Sequence, residues 1–416
     1  MEEKEKLIVI GGGAAGFFTA ISAAKKNPKA DITILEGGSR VLRKVKISGG
    51  GRCNVTHHCF DPLELSKNYP RGSRELRGAF HHWQPRDTIE WFKKRGVKIK
   101  TESDGRMFPV SDQSQTIIDC LQLSSRKLGI SIQLNKRVSG IAKEKDKWNL
   151  HLSSGGTLTA DKVCLALGSL KESNILDQLR ELGHTIHPLI PSLFAFNLPN
   201  HPMRDLSGLS VQNARIQTMP QGKEQNGPLL ITHRGFSGPA ILKASAWDAE
   251  QLVGVNYKFE VLVNWLGSYS SHDLADHFKM LRNENSKQRV SQNPFPEIPK
   301  RLWGRLVSLA QIENHTTWAH LSREKSIYLQ NNLSAMRFKV DGKTTNKEEF
   351  VTCGGICLKE VDFRSMESKL HQGLFFAGEC LNLDGITGGF NFQAAWTTGR
   401  IAGQSMGKTS EKTTSA

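Results

Sequence analysis

Gly11, Gly13 and Gly16 stand at the spacing Gly-x-Gly-x-x-Gly, and an acid, Glu36, follows twenty residues after the last of them. Residues of these types at this spacing bind a dinucleotide. Gly11 permits a tight turn, Gly13 lets the backbone approach a pyrophosphate, and Gly16 lets a helix pack against a strand. The helix that opens around Ala14 offers N–H groups to phosphate oxygens, and Glu36 accepts from ribose hydroxyls. Two further segments carry related chemistry. Gly373-Leu-Phe-Phe-Ala-Gly378-Glu379 runs an apolar stretch into a glycine and an acid, and Gly388-Gly389-Phe390-Asn391 follows it. Such a late turn puts a second set of backbone donors beside the same cofactor, an arrangement that suits the two halves of FAD. Lys44-Val-Lys-Ile-Ser48-Gly49-Gly50-Gly51-Arg52-Cys53-Asn54 sets three glycines in a row, so the backbone can lie flat against a ring or a phosphate. Lys44, Arg52 and Asn54 supply charge and hydrogen bonds around it. An ordinary strand and helix closing a sheet, and a plain flexible loop, are the competing readings of these two segments.

These groups need elements to hold them. Leu7–Ile10 is an apolar run of the kind that forms a buried parallel strand, Phe17–Lys26 reads as a helix ending at Asn27-Pro28, and Asp31–Leu35 is a second strand. The unit is strand–helix–strand with the glycine turn at its first crossing. Ile117–Leu128 reads as a helix. Ser131–Asn135, Lys147–Leu152 and Lys162–Leu167 read as strands, the last delivering Gly168 as a further cofactor contact. From Leu193 to Asn264 short alternating runs predict a small β-domain. His272–Gln330 is charged and amphipathic and predicts a helical insert, and after Phe338 strand and glycine character returns.

Composition narrows the function. The 416 residues carry a formal charge of +16, with 56 Lys and Arg against 40 Asp and Glu, which suits phosphate-bearing or polyanionic partners. Seven cysteines at wide spacings, with no Cys-x-x-Cys pair, argue against a disulfide framework or a metal site and for a reducing cytoplasm. Leu7–Ala24 lacks charge and has the length of a membrane span, but four glycines within it are poor material for a helix in lipid. No membrane association is expected. No second Gly-x-Gly-x-x-Gly follows a strand in the middle of the chain, so NAD(P)H, if it is the electron donor, docks transiently.

The segment Lys44–Asn54 resembles the signature of the BaiN/YhiN-like FAD-dependent oxidoreductases. So do Gly105–Asp112, Thr232–Ala240, Val351–Gly355, Met366–Lys369 and Gly373–Asn391, in family order. The resemblance implies an α/β fold: a discontinuous Rossmann-like FAD domain (1–190 and 340–405), an inserted β-barrel (191–268 and 331–339) and a helical domain within that barrel (269–330). A disordered tail is expected over 406–416. The resemblance also implies that Ala15, Glu36, Ser48–Asn54, Val138 and the region of Glu379, Asp384 and Asn391 line FAD. One departure concerns Leu165–Ile175, where the family's Gly-Gly pair and Thr-Gly-Asp-Gly-Tyr stretch are replaced by a shorter passage.

Members of that family reduce activated C=C bonds in bile-acid-like steroids, oxidise amines, or reduce a uridine of large-subunit ribosomal RNA to dihydrouridine. Between Arg40 and Lys100 the chain carries 15 Lys and Arg against five Asp and Glu. Arg71, Arg74, Arg77, Arg86, Lys93, Lys94 and Arg95 interleave there with Tyr69, Phe80, His81, His82, Trp83 and Trp91, which makes an RNA surface. A solvated helical cover is the alternative. Uridine is therefore the preferred substrate, ahead of a small-molecule enone, steroid or amine and of a non-catalytic flavin-bound scaffold. Adding hydride at C6 of uracil requires a proton at C5, and Cys53 and His233 are the candidate acids.

Overall fold

The computed structural model describes residues 4–172, 174–267, 269–344 and 351–409. The expected tail falls outside them from residue 410 on. The chain divides into two compact units, residues 1–190 with 351–416 and residues 191–350.

The first unit is built on the strand–helix–strand start. Strand β1 (Lys6–Ile10) leads through the glycines to helix α1 (Ala14–Lys26), and strand β2 (Asp31–Leu35) lies parallel beside β1. The sheet continues past β2 to Ser131–Gln133, and on the other side of β1 to Lys162–Leu165 and Leu374–Phe376, all parallel. An antiparallel hairpin, Val361–Asp362 with Glu367–Ser368, forms the far edge. This is a Rossmann-like order, with the first strand central and the chain winding first to one side and then to the other. Leu7 and Val9 are fully buried, as strands covered on both faces require. The uncharged stretch from Leu7 is thus a strand, a turn and a core helix. Among the described residues no helix is long and apolar enough to cross a membrane.

Helix α1 is apolar nearly all round, with Lys25 and Lys26 only in its last turn, where cations suit the carbonyl end of the helix dipole. Its buried partner is the last helix, Phe390–Met406. The two approach backbone to backbone. A Cβ at Gly399 would stand 2.6 Å from the Ala15 carbonyl oxygen, and one at Gly403 would stand 2.2 Å from that of Thr19. The four-residue spacing of Gly399, Gly403 and Gly407 keeps one face of that helix bare.

Residues 40–110 form short helices, Pro62–Ser66, Ser73–Phe80 and Pro85–Lys93, against this pair. They bury Tyr69, Phe80, Trp91 and Phe92. Phe18 of α1 meets Trp91 and Trp396 with ring centroids 4.7 Å away in each case.

In the second unit seven antiparallel strands run in the order Met336–Asp341, Lys258–Asn264, Ser210–Thr218, Gln225–Thr232, Gly235–Ser237, Ala195–Asn197, Lys343–Thr344. The two edge strands are separated in sequence by Gly342 alone, so the sheet curls round on itself. Gly342 N–H donates to the Tyr257 carbonyl, and its own carbonyl accepts from Asn197 N–H. The expected β-domain also contains helices, Pro239–Trp247 and Ala249–Gly254. The helical residues 269–330 do not form a separate body. Their Leu274, Phe278, Trp303, Leu306 and Trp318 share one core with Phe236, Val261, Trp265 and Phe338 of the sheet. Amphipathic helices of 10–14 residues cannot close a core by themselves, so they complete the one beside them.

Candidate functional site

The parallel register brings four segments out of the sheet at one level. Ile10 pairs with Leu35 and with Leu165, and Leu165 pairs with Phe376. The next residues are therefore Gly11, Glu36, Ala166-Leu167-Gly168 and Ala377-Gly378-Glu379, side by side at the carboxyl ends of the strands. In open α/β sheets this edge, at the point where the winding reverses, is where ligands bind.

The glycine turn is held from both sides. Gly11 N–H donates to the Leu35 carbonyl at 2.8 Å, Gly12 N–H to Glu36 Oε2 at 2.9 Å and Gly38 N–H to Glu36 Oε1 at 2.7 Å. Gly11 has φ 112°, and a Cβ on it would stand 2.3 Å from the Ala166 oxygen; one on Gly16 would stand 1.9 Å from the Gly11 oxygen. Gly13 differs. Its backbone is extended at φ −90°, and a Cβ there meets no described atom within 4 Å. The open space lies before the first turn of α1, whose amides at Ala14, Ala15 and Gly16 have no intrahelical acceptor. Val138, buried, reaches the same end through its neighbours: Lys136 N–H donates to the Glu36 carbonyl at 2.9 Å, and Asn135 N–H to that of Gly38 at 3.0 Å.

The second cluster surrounds residues 44–54. The helix Arg43–Gly51 breaks at Ser48, which is extended, and Gly49 and Gly50 are left-handed. Gly51 and Cys53 follow with φ 84° and 62°. Cβ atoms on Gly50 and Gly51 would meet nothing described within 4 Å, so this stretch presents bare backbone. It lies against the late glycines, since a Cβ on Gly389 would stand 2.8 Å from Asn54 Oδ1 and 2.4 Å from the Thr56 oxygen. His57 stacks on Phe390 with centroids 4.6 Å apart. Asn391 fastens the Gly385–Asn391 loop, accepting from Gly385 N–H at 2.9 Å and donating to its carbonyl at 2.8 Å. Between the clusters Lys44 Nζ donates to Glu379 Oε2 at 2.7 Å, and Thr352 N–H donates to Glu379 Oε1 at 2.9 Å. Thr352 Oγ1 bonds Ser169 Oγ at 2.7 Å, and a Cβ on Gly168 would be 3.9 Å from Glu379. Thr352 and Ser169 did not emerge as site residues from sequence, although Thr352 lies inside the Val351–Gly355 motif.

Open backbone, a helix N-terminus and an acid thus stand together at the reversal point of a parallel sheet, features that suit a dinucleotide. The model of the HI0933-like protein Rossmann domain matches residues 5–405. The chain belongs to the HI0933-like family. Relatives of the same length include the ribosomal RNA dihydrouridine synthase of Escherichia coli strain K12, 28% identical over 97% of this chain and 98% of that protein. Another is the 3-dehydro-bile acid delta(4,6)-reductase of Clostridium scindens, 26% identical over 95% and 97%. Among solved structures, the 3-ketosteroid delta1-dehydrogenase of Sterolibacterium denitrificans is similar with a TM-score of 0.48 and 10% identity, covering 97% of this chain and 100% of that one.

For this HI0933-like protein the structure reassigns several sequence-based roles. Cys53 is fully enclosed, and burial pushes its thiol up to about 12; it presents no surface to a substrate. His233 is exposed, on the turn between Gln225–Thr232 and Gly235–Ser237 of the second unit. Arg52 turns to Glu102 at 2.6 Å and lies 3.9 Å over the Phe108 ring. The Asp384 carboxylate is fully buried and taken by a fork from Arg71, Nε to Oδ1 at 2.6 Å and Nη2 to Oδ2. That leaves only the backbone of Asp384 to a cofactor, and it removes Arg71 from the candidates for phosphate contact. Tyr69, Phe80 and Trp91 are core residues and offer no face to a base. Arg74, Arg77, Arg86, Lys93 and Lys94 are exposed. Among the described residues no group of His, Cys, Asp and Glu stands close enough to hold a metal.

Proposed function

We propose that the protein holds FAD along the carboxyl ends of the parallel strands and uses it to reduce a uridine of ribosomal RNA to dihydrouridine. The observation that carries the cofactor assignment is the register that sets Gly11, Glu36, Gly168 and Gly378 side by side, with open space at Gly13, Gly50 and Gly51. The Gly11–Gly16 turn, Glu36 and Val138 take the ADP half. Ser48–Asn54, Gly378–Glu379 and Gly388–Asn391 take the ribityl and flavin half, with Glu379 steadied by Lys44 and Thr352. When bound, FAD supplies a hydride from N5 to C6 of the pyrimidine, and C5 takes a proton. NADH or NADPH is the proposed reductant, and an RNA substrate places the protein in the cytoplasm.

The end-to-end likeness to a ribosomal RNA dihydrouridine synthase and the charge of +16 support uridine. The second reading, an enone reductase for a steroid-like molecule, is favoured by the equally long likeness to a bile-acid reductase. A direct assay separates them. The FAD-loaded protein, reduced with NADPH or NADH, is mixed with a large-subunit ribosomal RNA transcript or with a steroid enone, and flavin reoxidation is followed without oxygen. Dihydrouridine in the digested transcript supports the first reading. Reoxidation by the enone alone overturns it.

A further inference from the structure

A half-open pocket of about 350 Å³ lies in the first unit, away from the glycine turn. It sits at the far end of α1, which at 1.5 Å per residue puts it about 18 Å from Gly13. Its wall carries five cations, Lys25, Lys26, Lys94, Arg95 and Arg400, against two acids, Asp87 and Glu90. The acids have other work: Asp87 Oδ2 accepts from Gln84 N–H at 2.9 Å and caps a helix, and Glu90 stands 3.6 Å from Lys94. Two tryptophans form the floor, each facing a guanidinium. Arg95 lies 3.6 Å over the Trp91 ring and donates to the Trp91 carbonyl at 2.8 Å and to Ser124 Oγ at 3.2 Å. Arg400 lies 5.1 Å from the Trp83 ring and donates to Ser22 Oγ at 3.4 Å.

Burial holds Lys25, Arg95 and Arg400 below their usual pKa, and for Lys25 the repulsion of Arg95, Arg400 and Lys94 adds to it. Cations crowded round a recess are relieved by an anion, and fixed guanidinium planes suit phosphate oxygens. Each ring has a guanidinium over one face, so the pocket sets fixed charge beside its aromatic lining. We propose that this pocket seats backbone phosphates of the RNA substrate, as a contact that reads charge and not sequence. The proposal rests on the uridine reading. Contacts of this kind fix the position of a nucleic acid without specifying it.

The test uses the FAD-loaded protein with Lys25→Glu, Lys26→Glu and Lys94→Glu together. All three side chains are exposed and none belongs to the cofactor cradle. Reversal relieves the crowding, so thermal stability and the flavin spectrum are expected to hold. Affinity for a ribosomal RNA transcript should fall at least about 10-fold at low salt, and the slope of log K against log salt should flatten by about two, as lost phosphate contacts release fewer counterions. For dihydrouridine formation KM rises while kcat holds. If dihydrouridine forms with unchanged RNA affinity and salt slope, the pocket proposal is overturned and the uridine reading survives. If the variant loses only its affinity for inorganic pyrophosphate or free nucleotide, the pocket is a small-phosphate site and the RNA assignment is overturned. If the native protein makes no dihydrouridine yet loses RNA affinity on reversal, the uridine reading fails and the pocket stands.

Discussion

Two glycines three residues apart do opposite things. Gly16 is required by the protein, because any Cβ there strikes the Gly11 carbonyl at 1.9 Å, whereas Gly13 faces open space in an ordinary extended conformation. Gly13→Val is therefore expected to keep native stability within about 0.5 kcal/mol while losing FAD. Gly16→Val is expected to lose about 1–3 kcal/mol or more. Denaturant midpoints with flavin absorbance separate the two, and equal FAD content in Gly13→Val and native protein would refute the cradle. Arg71 illustrates what spacing could not reveal. Its partner Asp384 is 313 residues away and fully buried, so a residue that reads as one of a basic run is half of an internal ion pair. Arg71→Ala takes the guanidinium from that buried carboxylate and is expected to cost about 3–5 kcal/mol, while Arg74→Ala and Arg77→Ala, at exposed positions, stay near native stability. Urea denaturation of the three variants checks this, and equal midpoints would contradict it.

At the scale of elements, the local signals were legible. The strand–turn–helix–strand of residues 6–35 is written in a contiguous stretch, and each of its pieces acts on its neighbours. Gly399, Gly403 and Gly407 were equally visible at four-residue spacing, but their meaning depends on which helix they meet, and that is set by the fold. The aromatic residues of 69–91 read as a stacking surface because their helices are short and rich in Arg; the opposite faces of those helices are the ones that carry the rings inward. The hairpin at the sheet edge is tied by another residue outside the sequence reading. His184 is buried, with Nδ1 3.2 Å from Glu360 Oε2 and Nε2 3.1 Å from Ser368 Oγ. Desolvation holds its pKa below the ordinary 6.5 despite the Glu360 carboxylate. The unfolded chain then binds the proton more readily, so the contribution of His184 is complete above about pH 6.5 and is lost as pH falls from there towards the lowered folded value. The melting temperature should fall between pH 8 and pH 5.5, and His184→Gln should shrink that fall. An identical pH dependence in both proteins would exclude the assignment.

For the whole molecule, composition and order gave the class of fold, while the division of the chain follows from packing. The helices of residues 269–330 looked like a separate insert because their charge pattern changes abruptly, yet their apolar faces complete the core of the neighbouring sheet. Net charge behaves in the same way: +16 points to a polyanion, but the structure decides which cations are committed inside and which face outward. The proposed reaction is the reduction of uridine in large-subunit ribosomal RNA by FAD held at the strand ends. It is tested most directly by mass spectrometry of nucleosides from that RNA in cells with the gene, without it, and with the Gly13→Val form in its place. Dihydrouridine is expected in the first and lost in the other two; equal dihydrouridine in all three would rule the reaction out.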